Sequence, residues 1–239
     1  MNDTIQLLTR NFGTKMFSTA LHGIRSNVTG LRAMPGEVSN CLTHGLGLCL
    51  SMFASVAMLL YVGLRGDNWH RLGCLIFLMT MVSVYAASTC SHGVTHSRLR
   101  DWFRKLDQGL IYLFIAGSYT PWLLCHFRFN WGIFLLSAIW TAALLGFFSK
   151  VWLAHRVAHV NLMLYILLAW LPILQFKLII QLVPIFGFVW LFIGGMFYMI
   201  GTVFWKLDKT RCHFHAIWHV CVMLGNACHY YAVFHYAIP

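Results

Sequence analysis

Seven apolar runs with short polar breaks between them constrain this chain more than any other feature. They cover about residues 42–64, 71–93, 107–126, 131–149, 158–176, 183–205 and 214–237. Each is long enough to cross about 30 Å of hydrocarbon as a helix. In lipid the backbone must satisfy its own hydrogen bonds, which helices do within one segment. The expected fold is an all-α membrane protein, a bundle of seven transmembrane helices. Lys177 and Gln181 alone interrupt the fifth and sixth runs. Pro121, Pro172, Pro184 and the pair Gly194-Gly195 mark kinks or close helix contacts.

Composition supports this reading. Of 239 residues, 59% are apolar and 10% charged, more apolar surface than a soluble core absorbs. A net charge of +11 raises the question of nucleic acid. The basic residues, however, lie between the apolar runs instead of forming one stripe, which is the membrane pattern, and no nucleic-acid partner is expected. Thirteen of the 17 lysines and arginines fall on the side of the N-terminal tail, and only Arg65, Arg71, Arg128 and Lys177 on the other. The positive-inside rule then puts the N-terminus in the cytoplasm, and seven crossings put Pro239 outside. The plasma or cytoplasmic membrane is expected, with an internal membrane as the alternative. The eight cysteines lie mostly within apolar runs and form no CxxC pair, so they read as small buried hydrophobes.

Residues 1–36 form a basic arm with Arg10, Lys15, Arg25 and Arg32, and residues 37–239 form the bundle. No apolar h-region precedes a cleavage site, which argues against a secretory signal. Ile5, Leu7, Leu8, Phe12 and Phe17 interleave with the basic residues. An interfacial helix, a basic tail or an organellar transit segment fits that pattern. Pro35-Gly36 is a turn signal ahead of the bundle.

The chemistry concentrates at one depth. His215 and His219 open the last run four residues apart, so on a helix they share a face. Ser88 and His92 are four apart at the end of the second run, Asp107 begins the third, and His44 begins the first. Even-numbered helices end where odd-numbered ones begin, so these groups lie on one side of the membrane. Ionisable groups at membrane depth are costly and usually face a cavity with a function. The arrangement fits a catalytic-type zinc site: His92, His215 and His219 as ligands, with a fourth position open to water. Asp107 would hold that water and act as general base. Ser88 would hydrogen-bond a neighbouring group or a substrate carbonyl. Plainer readings exist: an N-cap for Asp107 and a small residue at a helix contact for Ser88. His215, His219, Asn226 and His229 continue a polar stripe into the bundle, and Asp107 and Ser118 share a side of the third helix. Both stripes suit either a cavity running outward from the metal or hydrogen bonds between helices.

Several motifs carry a family resemblance: Glu37-Val-Ser-Asn40-Cys-Leu-Thr43-His44, Ser88-x3-His92, Leu106-Asp107, Ala116-Gly-Ser-Tyr-Thr-Pro121 and His215-Ala-Ile-Trp-His219. In this order they resemble the hemolysin III / progestin and adipoQ receptor family over about residues 37–237, and the short loops look more like its hemolysin III branch. The resemblance implies seven helices with a cytoplasmic N-terminus. It implies zinc on His92, His215 and His219, with Asp107 against a zinc-bound water. Glu37, Asn40 and His44 match a first-helix motif with a structural or ligand-supporting role. Ser91 stands where many members have Tyr, and the stretch from His92 to Asp107 is slightly short.

Members of the wider superfamily hydrolyse the amide of ceramides. The leading functional expectation is therefore a zinc-dependent hydrolase acting on a membrane lipid, a ceramide or related amide, in the inner leaflet. The alternative is a membrane receptor in which zinc pins the helices. A hemolysin-type pore is the least favoured reading, because no run carries a repeated charged lining.

Overall fold

The computed structural model describes residues 36–128, 131–153, 161–171, 173, 176–208 and 213–239. The basic arm lies, apart from Gly36, outside the described residues, as do His155, Arg156, His159, Pro172, Lys209 and Arg211.

Among the described residues the chain is helical. The helices are α1 (Glu37–Arg65), α2 (Asn68–Gly93), α3 (Ser97–His126), α4 (Gly132–Trp152), α5 (Asn161–Trp170), α6 (Phe176–Leu182), α7 (Ile185–Leu207) and α8 (Phe214–Ala232), which runs into a π-helical turn at Val233–Ala237. Four of them, α1, α2, α4 and α7, are long and apolar enough to cross a membrane. Gly36 enters α1 with φ 89°, a conformation that favours glycine. Asp67 caps α2 by accepting from the backbone N–H groups of Trp69 and His70 at 2.9 and 3.0 Å. Its other oxygen accepts from Arg128 just past α3, at 3.0 Å. The His70 N–H, helped by Arg128, holds this carboxyl well below the usual carboxylate range.

Two expectations change. The third helix begins at Ser97, ten residues before Asp107. Asp107 is therefore inside a helix, and its N-cap reading falls. The cause is local: Arg98, Arg100, Asp101, Arg104 and Lys105 are helix-compatible residues that extend α3 beyond its apolar part. The fifth run holds the ten-residue α5, and the supposed interruption at Lys177 and Gln181 is itself the short helix α6. Pro184 then stands at the entry to α7 with extended ψ, since proline has no N–H to continue α6.

The helices pack in sequence, α1 on α2, α2 on α3, α3 on α4 and α7 on α8, and α1 also touches α8. Chain ends thus become neighbours, which brings His44, His92 and His219 within reach. The α2–α3 contact is close because Gly73 lies against Pro121, where a Cβ would meet the Pro121 Cα at 2.8 Å. Polarity is inverted relative to a soluble protein. Phe53, Leu64, Phe134 and Leu145 point outward and are exposed, whereas Asn40, His44, Ser88, Ser91, His92, Ser118, His219 and Asn226 are buried. An apolar exterior of this extent belongs in lipid.

Candidate metal centre

Two helix ends build the site. His92 is the penultimate residue of α2, and His215 and His219 lie in the first two turns of α8. Their ring centroids are 5.0 Å (His92–His215), 5.0 Å (His92–His219) and 4.6 Å (His215–His219) apart. One nitrogen from each lies within 4.8 Å of the others, so the trio can hold a metal ion. Ligands on a tetrahedral zinc at 2.0–2.1 Å sit about 3.3 Å apart, so the set is gathered to within small side-chain adjustments.

The partners of the rings decide which nitrogens are available. His92 Nδ1 donates to Glu37 Oε2 at 2.5 Å. His215 Nδ1 donates to Asp208 Oδ2 at 3.0 Å. His219 Nδ1 donates to the Asn40 carbonyl at 3.2 Å and has Thr43 Oγ1 at 3.0 Å. Thr43 spends its proton on the Ser39 and Asn40 carbonyls, so it too accepts. A carbonyl or carboxylate oxygen has no proton to give. Each Nδ1 must therefore carry the hydrogen, and each Nε2 keeps its lone pair. His92 Nε2 is buried without any hydrogen-bond partner. Carboxylate or carbonyl on one nitrogen and metal on the other is the usual setting of a ligating histidine. The residues fit a zinc ion.

Around the trio, Glu37 also accepts from Arg104 Nη2 at 2.9 Å. Asp107 lines the cavity beside the trio and accepts weakly from Ser91 at 3.5 Å. Ser88 lies beside Asp107, near enough to bear on that carboxylate, but its hydroxyl makes no well-formed hydrogen bond. His44 stacks on His219 at 3.5 Å with neither nitrogen partnered. Asn40 contributes through its main-chain oxygen, while its side-chain oxygen is buried without a partner. Sequence reasoning missed Asp208 and Thr43. Asp208 is one of only six acidic residues, seven positions before His215, and that scarcity was the available signal.

His44, Ser88, Asp107, His215 and His219 form one end of a cavity of about 720 Å³. The remainder is largely apolar and extends past Ile115 and Trp122 to Phe127 near the far end of α3. That volume is within the range of ligand pockets, about 300–1,000 Å³.

A helical chain with an apolar exterior, ionisable groups inside and a histidine trio at the end of such a cavity is an integral, multi-pass membrane protein with a candidate metal centre. It belongs to the haemolysin-III-related family, whose profile matches residues 32–230. It is 34% identical over 202 residues to "Hemolysin-3 homolog" of Bacillus subtilis (strain 168), covering 84% of this chain and 94% of that protein. To "Hemolysin-3" of Bacillus cereus it is 33% identical over 203 residues, 85% and 92% of the two chains. To "Monocyte to macrophage differentiation factor" of Homo sapiens it is 32% identical over 200 residues, 78% of each.

Proposed function

We propose that this protein is a zinc-dependent hydrolase of lipid amides, ceramides or their relatives, working at the cytoplasmic leaflet. One observation carries the reading: three imidazoles, each with Nδ1 committed to an acceptor, converge at the polar end of a lipid-sized cavity that also presents Asp107 and Ser88. The same reading takes residues 37–239 as a seven-span bundle with its N-terminus inside and residues 1–36 as a separate arm. The distribution of basic residues supports that orientation.

A zinc ion held on His92, His215 and His219 would supply Lewis acidity to an amide carbonyl and acidify a water. Asp107 orients the attacking water by accepting its hydrogen bond, takes its proton, and passes that proton to the amide nitrogen as the C–N bond breaks, so that free acid and amine leave. Ser91 steadies that carboxylate. The Ser88 hydroxyl, beside Asp107 and without a well-formed hydrogen bond, donates to the substrate carbonyl. The apolar cavity holds the acyl chain and excludes bulk water. Asp107→Ala is expected to cut ceramide turnover by about 10²–10⁴-fold and to keep its zinc. His92→Ala is expected to lose both. Equal zinc in the wild type and His92→Ala would remove the ligand set.

A second reading, a receptor with structural zinc, is favoured by the way Glu37–His92 and Asn40–His219 tie α1 to α2 and α8. Stability lost on chelation with no turnover under any condition would select it.

A further inference from the structure

The cavity carries a second polar level beyond the histidine trio. Ser118 on α3 and His229 on α8 both line it. Ser118 follows Asp107 by eleven residues and His229 follows His219 by ten. At 1.5 Å per residue each stands about 15 Å along its helix from the metal cluster. Eleven residues are close to three turns, so Ser118 keeps the face of Asp107. Fourteen residues are close to four turns, so His229 keeps the face of His215. Two separate helices thus bring a polar group to one depth.

His229 is short of partners. Neither ring nitrogen makes a well-formed hydrogen bond, although both are shut off from bulk water; the Leu191 carbonyl is a marginal acceptor for one of them, so at least one nitrogen stays unserved. The neighbouring polar chain does not serve it: Tyr198 donates to Asn226 Oδ1 at 2.5 Å, and Asn226 Nδ2 donates to Tyr85 at 2.7 Å. His229 meets Tyr198 only ring edge to face, at 5.3 Å. Gly194 makes room for it, since a Cβ there would collide with the His229 ring. Ser118 gives its proton to the Ile115 carbonyl at 2.8 Å and still has lone pairs to accept with. A buried imidazole without partners is costly, and a ligand group that pairs with it recovers the cost.

We infer that Ser118 and His229 form a second binding station that reads a hydroxyl in the middle of the ligand's acyl chain. The inference rests on the lipid-amide reading of the metal end. At about 1.2 Å per bond of an extended chain, 15 Å places that hydroxyl roughly a dozen bonds from the carbonyl. The hydroxyl either donates to the imidazole lone pair or accepts from the imidazole N–H while donating to Ser118 Oγ, which has lone pairs to spare. A plain chain leaves the imidazole unpaired, so the site rejects it through its own unsatisfied group.

The test uses the full chain in lipid nanodiscs and displacement of a fluorescent fatty acid by stearate, 2-hydroxystearate and 12-hydroxystearate. The 12-hydroxy acid is expected to bind about tenfold tighter than stearate, and the 2-hydroxy acid to show no such gain. In His229→Phe and in Ser118→Ala the ratio of the 12-hydroxy acid to stearate should fall towards one. Equal affinities in the wild type would overturn the station, with trapped water serving the imidazole, and would leave the cavity reading standing. A preference that survives in both variants would overturn the assignment to these residues. Failure of all three acids to displace the probe would instead overturn the lipid-chain reading of the cavity.

Discussion

Glu37→Gln is the sharpest probe of the metal centre, because it removes one charge and leaves the helix and the ligands in place. The Glu37 carboxylate holds His92 Nδ1 at 2.5 Å through one oxygen and Arg104 at 2.9 Å through the other. As a ligand-orienting group it fixes the tautomer that frees His92 Nε2 and raises the basicity of the ring. A glutamine keeps one acceptor but lacks the charge, and its NH₂ cannot accept from Nδ1–H. Loss of such a partner typically weakens metal binding by about 10–100-fold, or about 1.4–2.7 kcal/mol. The assay is zinc affinity of the purified protein by competition with a chelator of known affinity. Arg104→Ala is the control. Arg104 is 45% exposed, so its pairing with Glu37 is largely screened and its loss should change affinity by less than about fivefold. Wild-type affinity in Glu37→Gln would refute the claim that Glu37 directs His92 Nε2 to the ion.

Other outcomes follow from the same geometry. Asp208→Asn should weaken zinc less than Glu37→Gln does, since Asp208 is the more exposed carboxylate; the same competition measures it. Removing zinc with a chelator should lower the thermal midpoint in detergent of the wild type but not of His92→Ala, because only the former has an ion to lose. Asp67→Ala should cost about 1 kcal/mol through the lost helix cap, a midpoint shift of about 2–4 °C. The Asp67 carboxyl is held below its ordinary value of 3.8, so its stabilisation is present above about pH 4 and fades as pH falls further; the gap between wild type and Asp67→Ala should narrow accordingly. Gly73→Ala should destabilise by about 1–3 kcal/mol, because the new methyl meets the Pro121 backbone, which cannot move aside cheaply.

Much of this architecture is legible in the sequence because hydropathy and helical spacing are local signals. The apolar runs locate α1, α2, α4 and α7 to within a few residues. The i, i+4 pairs Ser88/His92 and His215/His219, together with the alternation of helix direction, bring His92 to His215 and His219. The start of α3 is not legible, since a charged helical turn outside the apolar run has no hydropathy signature. The division into α5 and α6 is lost in a stretch that is apolar throughout. Asp208 and Thr43 escape because their contacts arise from how α1 and the end of α7 meet α8, which no local pattern encodes. Asn40 shows a different limit: its residue type suggests a side-chain role, yet the contact to His219 is made by the backbone.

The helices that fall short of a membrane-spanning hydropathy have a physical reason to do so. α3 carries Asp107 and Ser118 as well as its charged first turns. α8 carries His215, His219, Asn226 and His229. Such groups raise the cost of insertion and persist only where something offsets it. Within the bundle most of that offset is visible: each ligand Nδ1 has an acceptor, and Asn226 is held by Tyr85 and Tyr198. What is left over is a set of Nε2 lone pairs and charge. With the imidazoles neutral, the carboxylates of Glu37, Asp107 and Asp208 gather around the trio, and Arg104 is the cation paired with Glu37 among the described ion pairs. Three carboxylates around neutral imidazoles favour a cation at the trio. A bound ion would therefore tie metal affinity to the stability of the inner end of the bundle, because the groups placed to hold it are those whose burial is otherwise unfavourable.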